Sequence, residues 1–241
     1  MDGQRLTFEV LGLYKGVFQM VDLQTGTVWN HLDGRAVSGP LAGTRLDFLP
    51  VQIMTWSEWN RWYPDSVVLA PGTGYDQNYM EFTPGSQVGA ESGFQDFRLP
   101  ANAIVIGAQV GDDSRAYPQQ LVDEASGVVN DDLGGQPIVV FHDSKSGAGL
   151  VFSRVIDGQT ATFDRGAGSG GFSVIDSVTG TTWDANGFGI SGPRAGFRLG
   201  WVTSIITEWY GWAEYHEGTG ISGTPSDWSR VTSPPTSNFG P

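Results

Sequence analysis

Most of the first 69 residues of this chain are written twice, and an internal repeat constrains a fold more than any single motif, because both copies must satisfy one packing scheme. Asp2-Gly3-x-x-x-Thr7-Phe8 recurs as Asp157-Gly158-x-x-x-Thr162-Phe163, and Asp22-x-x-Thr25-Gly26-x-x-Trp29 as Asp176-x-x-Thr179-Gly180-x-x-Trp183. Gly34-x-x-x-Ser38-Gly39-Pro40-x-Ala42-Gly43-x-Arg45-Leu46 returns as Gly187-x-x-x-Ser191-Gly192-Pro193-x-Ala195-Gly196-x-Arg198-Leu199, and Trp56-x-x-Trp59 as Trp209-x-x-Trp212. Two single-residue deletions account for the entire drift between the copies.

Within the first copy, apolar alternation over residues 6–11, 17–22 and 27–31, broken by a glycine turn at 24–26, predicts strands joined as a hairpin. Thr55-Trp56-Ser57-Glu58 fits a capping box, so a short helix should follow and end at Pro64, with Trp56 and Trp59 on one core-facing side. Between the copies, residues 70–100 read as a Gly/Pro-rich connection. Residues 101–156 read as a lobe of their own: a strand at 103–110, a helix with Pro118 at its first position, and strands at 137–142 and 149–154. Residues 219–241 turn to Gly, Ser, Pro and Thr, and should be an extended tail. The domain reading is therefore 1–69, 70–100, 101–156, 157–218 and 219–241. The fold class is β-rich α+β, an internal duplication of a hairpin-plus-short-helix lobe with a β-helix-β lobe between the copies.

Composition removes several functions. Thirty-five glycines and a low charged fraction of 16% fit a turn-rich β protein. With 26 acidic residues against 13 scattered basic ones, the chain lacks the clustered cations that nucleic acid or an anionic membrane needs. There is no cysteine, so disulfides, thiolate metal sites and thiol nucleophiles are excluded. No apolar run is long enough for a membrane span, and Met1 leads straight into Asp2-Gly3-Gln4-Arg5 without a signal-peptide pattern. The compartment stays open, an extracytoplasmic one included.

Several strings together resemble the bacterial and archaeal domain-of-unknown-function family 3179: Arg115-Ala116-Tyr117-Pro118, Val129-Asn130-Asp131, Gly134-Gly135-x-Pro137, Asp22-x-x-Thr25-Gly26-x-x-Trp29, and Gly39-Pro40-Leu41-Ala42-Gly43-Thr44-Arg45-Leu46. The resemblance covers nearly all of residues 2–216. It implies two successive pairs of a first lobe, bearing Arg-Ala-Tyr-Pro, and a second lobe, bearing Gly-Pro-x-Ala-Gly, and this chain lacks the opening first lobe. That lobe carries the family's Trp-His-Glu and Tyr-Cys-Pro-x-Cys strings. In the first lobe present here, Ala125-Ser126-Gly127 and His142-Asp143-Ser144-Lys145-Ser146 stand in their place, so soft metal ligands are replaced by a carboxylate and hydroxyls. No metal or other cofactor is expected.

The candidate binding residues are few. Arg45 and Arg198 occupy equivalent places in the two copies, as loop anchors or anion contacts. Trp62, Trp201 and Trp228 have no tryptophan counterpart in the other copy and are the candidates for surface contact. His142 and Asp143 have the ingredients of a nucleophilic site but, as neighbours on a strand, point to opposite faces. No catalytic residue is assigned. The reading favoured is a non-catalytic binding or structural module whose partner is a protein, itself or another, or a glycan. One alternative is part of a metal-dependent or hydrolytic enzyme whose active lobe is missing from this chain; another is a carbohydrate-binding module. The first repeat is expected to present an unpaired strand edge or apolar face, to be completed by the 70–100 connection or by another chain.

Overall fold

Each copy of the repeat folds around an aspartate that closes a turn. In the computed structural model, which describes residues 5–68, 72, 74, 94–167 and 171–234, the Asp22 carboxylate accepts from the Thr25 amide at 2.6 Å, the Thr25 hydroxyl at 2.8 Å and the Trp29 indole at 2.9 Å. Asp176 accepts from the Thr179 amide, the Thr179 hydroxyl and the Trp183 indole at 2.5, 2.7 and 2.9 Å. Both carboxylates are buried, and a buried charge persists only where donors fill its lone pairs. Burial alone would raise each carboxyl, yet the donors outweigh it and hold both below the ordinary aspartate range. The Asp-x-x-Thr-Gly-x-x-Trp string is thus a turn and its anchor, with Gly26 and Gly180 both at φ +69°.

Around the first anchor lie β1 (Phe8–Tyr14), β2 (Val17–Asp22), β3 (Val28–Asn30) and β4 (Ala36–Ser38), an antiparallel meander in chain order. Residues 46–55 then run outside any assigned strand into helix α1 (Trp56–Trp62). The middle of the chain builds β5 (Ile104–Val110), β6 (Asp113–Pro118), α2 (Gln119–Glu124), β7 (Val128–Leu133), β8 (Gln136–Asp143), β9 (Ala148–Ser153) and the small hairpin β10 (Val155–Ile156) and β11 (Gln159–Thr160). The second copy forms β12 (Phe163–Arg165), β13 (Val174–Asp176), β14 (Thr182–Trp183) and β15 (Gly189–Ser191), again a meander in chain order. It continues through β16 (Trp201–Val202), β17 (Ser204–Glu208) and α3 (Trp209–Tyr215), followed by β18 (Gly220–Ile221) and α4 (Pro225–Trp228).

The second copy is stitched into the middle of the chain, because β16 joins the sheet β16-β9-β8-β7 and β17 joins β17-β5-β6-β18. β17 pairs antiparallel with β5 over five residues, from Ser204 opposite Ala108 to Glu208 opposite Ile104. Ile106, Tyr117, Ile138, Val140, Val151 and Ile206 form one core among these strands. A second core joins Phe141 and Phe152 of the middle strands to Phe163 and Trp183 of the second meander, and a third surrounds Trp209 and Trp212. Asn130 on β7 clamps the edge of β12, donating to the Phe163 carbonyl at 2.8 Å and accepting from its amide at 2.9 Å.

The two copies also exchange helices. The Tyr215 hydroxyl on α3 donates to the Tyr14 carbonyl of the first meander at 3.0 Å, and Lys15 pairs with Glu214 at 2.7 Å. In the other direction, Met54 and Trp62 pack on the core that contains Trp183.

The structure corrects the sequence reading in several places. No side-chain capping bond forms at Thr55; its hydroxyl lies 3.4 Å from that of Ser57, while Glu58 pairs with Arg61 one turn on. Pro118 caps α2 as the last residue of β6 rather than opening the helix. The middle lobe holds five main strands around one helix, since the apolar runs at 113–118 and 128–133 are too short and too polar to stand out. The described part of the tail is not simply extended: β18 pairs parallel with β6, and Thr224 and Asp227 close a capping box on α4. Most of the 70–100 connection lies outside the described residues. Trp56, expected in a core, is exposed.

Candidate functional site

Matching positions of the two copies meet different surroundings along one strand. Residues 49, 51, 53 and 56 correspond to 202, 204, 206 and 209. In the second copy Val202, 5% exposed, and Ile206, 7%, enter the core with Ile106 and Val140, and Trp209, 0% exposed at the start of α3, enters the core with Val105 and Trp212. In the first copy Leu49 is 77% exposed, Ile53 46% and Trp56 52%, and Val51 is likewise open. Alternation sets the face, since every second residue of an extended chain points the same way. What differs is the neighbour. β5 and β9 cover the second face, and no described strand pairs with residues 46–55 of the first. One bond anchors the end of this segment, the Thr55 amide donating to the Ser146 carbonyl at 2.8 Å.

Pro50, Val51 and Gln52 of the same segment line a cleft of about 330 Å³ with Trp59, Tyr63, Asn186, Arg198 and Trp201. Gln52 donates from its side-chain amide to Asn186 Oδ1 at 2.7 Å. Arg198 sits at the rim, 6.0 Å from the centre of the Phe188 ring, and the Trp201 indole donates to the Ser204 hydroxyl at 3.1 Å. Arg45, in the matching place of the first copy, lies 3.8 Å from the buried Asp33 carboxylate, which Arg35 also approaches at 3.5 Å. Beside them His216 stacks on Trp212 at 3.6 Å between ring centres. Burial pushes its imidazole down to about 4, against the pull of the Trp212 carbonyl and Asp33.

The remaining candidates lie apart. Trp62 packs on the core around Trp183, and Trp228 packs near Trp209 while its indole donates to the Ser222 carbonyl at 3.0 Å. His142 is buried with Nδ1 at 2.7 Å from Asp123 of α2, a partner nineteen residues away that strand alternation could not reveal. Among the described residues its buried Nε2 has no hydrogen-bond partner, so none of their hydroxyls stands ready beside it. Asp143, on the other face, accepts from the Ser146 hydroxyl at 2.6 Å in a local turn. Among the described residues no group of three or more His, Asp or Glu side chains could hold a metal ion, and no helix is long and apolar enough to cross a membrane.

The motifs behind this geometry extend beyond a resemblance. A family model described as a protein of unknown function (DUF3179) matches residues 1–219. The chain belongs to that family. No curated protein and no solved structure matches it. Membership in DUF3179 brings no activity with it, so function has to be argued from the geometry. Sequence reasoning expected an open edge or apolar face on the first repeat without locating it, and it read Trp56, like Trp209, as core, whereas Trp56 is exposed and Trp209 buried.

Proposed function

We propose that this DUF3179 chain is a non-catalytic protein-binding module, built on an internal duplication in which one copy is completed by the middle lobe and the other is left open. One observation carries the reading. Leu49, Val51 and Ile53 alternate along one extended segment and are exposed while their counterparts Val202, Ser204 and Ile206 are buried, and exposed apolar side chains beside an unpaired backbone make a surface that associates. The absence of a hydroxyl or thiol at His142 Nε2 weighs against a nucleophilic reading. Trp62 and Trp201 are partly buried against one core and Trp228 against another, so the three indoles form no single exposed platform for a sugar.

The chain's lack of cysteine makes the test direct. Full-length I53C and I206C, labelled with a maleimide under native conditions, should differ: the first reacts at the rate of an exposed thiol, the second only after unfolding. An unreactive I53C in dilute, monomeric protein would mean that the face is covered within the chain, and the reading would fail.

A further inference from the structure

Resting on that reading, we infer the occupant of the open face: a partner protein carrying a β lobe of the same build as residues 104–153, which adds a strand antiparallel to residues 51–55. Three independent contacts of the second copy specify it. The first is backbone pairing, since β17 takes five partners from β5 and residues 51–55 occupy the matching stretch. The second is a glycine. A Cβ at Gly107 would fall inside the Trp212 ring, so that tryptophan lies flat on the β5 backbone. Trp59 holds the matching place in the first copy, and the partner strand must offer it a glycine opposite Gln52, as Gly107 is opposite Ile205. The third is an amide clamp. Asn130 bonds both backbone groups of Phe163, and among the described residues no side chain takes that role at Phe8, the matching residue on the edge strand β1.

A second copy of this chain does not qualify. Its β5 is flanked by β17 and β6, and its β9 by β16 and β8, so both edges that the open face needs are already occupied. The occupant is therefore another lobe with those two edges free. Recognition is strand addition, with main-chain bonds giving affinity and the alternating pockets giving specificity.

The probe is a synthetic peptide of the sequence 103–113, which carries β5 and ends in two solubilising aspartates. Added to the full chain, it should slow amide exchange at residues 51–55 at least tenfold and shift tryptophan emission. A peptide with the glycine of position 107 replaced by valine should do neither, and neither should the wild-type peptide with full-length I53D, whose exposed site leaves the fold intact. The inference is overturned if saturating peptide leaves residues 51–55 unprotected, if the valine peptide protects them equally, or if sedimentation reveals a homodimer that I53D abolishes. Fast exchange at 51–55 with no peptide effect would remove this occupant and leave the binding-module reading standing. Slow exchange there before any peptide is added would remove both.

Discussion

Replacing the two tryptophans that open the helices separates sequence identity from structural role. Trp209 is fully buried, packs with Leu99, Val105 and Ile221, and donates from its indole to the Asp96 carbonyl at 3.0 Å. Its removal loses the whole side chain from the core and strands that carbonyl, so Trp209→Ala should cost about 3–5 kcal/mol. Trp56 keeps only about half of its surface covered. At roughly 25 cal/mol per Å² of apolar area, and with no closed cavity left behind, Trp56→Ala should cost about 1–2 kcal/mol. The difference of about 2–3 kcal/mol corresponds to roughly 4–12 °C in Tm for a chain of this size. Urea and thermal unfolding followed by far-UV circular dichroism read it without relying on the fluorophore removed. Equal losses in the two variants would refute the argument, because they would mean that the first helix start is as well packed as the second.

Three further outcomes follow from the same structure. Ile206→Ala should cost about 2–4 kcal/mol in urea unfolding and Ile53→Ala under about 1 kcal/mol, since the same side chain is buried in one place and open in the other. Asn130→Ala should lower stability by about 1–3 kcal/mol by stranding the Phe163 amide and carbonyl, and should raise exchange at that amide first. His216 stays neutral in the fold down to about pH 4 but protonates near 6.5 when unfolded, so the unfolded chain binds the extra proton between those values. Stability should therefore fall as pH drops from 6.5 towards 4, by at most about 1.4 kcal/mol per pH unit, and His216→Phe should flatten that slope in pH-dependent urea titrations. The charges nearest the ring are Asp33, which favours the imidazolium, and Arg35 and Arg45, which oppose it. Asp22 and Asp176, held low by their donors, lose their contribution at lower pH still.

How much of this was legible in the sequence varies by element, and the variation has physical causes. The hairpin strands and their turn were readable because Asp22, Thr25, Gly26 and Trp29 act locally, within one turn and one strand, and their counterparts repeat the code, whereas the short fourth strands β4 and β15 were not read. Helices α1 and α3 lie within a residue or two of where the tryptophan spacing and Pro64 put them, whereas α4 falls in a stretch read as extended tail. The middle lobe was under-read because Asp113–Pro118 and Val128–Leu133 are strands by virtue of their neighbours rather than their own alternation. Trp56 was misread for a related reason. A repeat reports what each copy can bury, whereas burial is decided by what lies across from it, and among the described residues β5 and β9 pair with the second copy while no strand pairs with residues 46–55 of the first. The His142–Asp123 contact was invisible because it joins β8 to α2 across tertiary packing.

The central claim is that one of two matching strands is completed and the other waits for a partner. Amide exchange read out residue by residue in dilute full-length protein tests it most directly. Residues 204–208, paired with β5, should exchange slowly, close to the rate set by global unfolding, while amides 51–54 exchange within a factor of ten of unstructured chain and Thr55, bonded to Ser146, lies between. Equally slow exchange in both segments would contradict it.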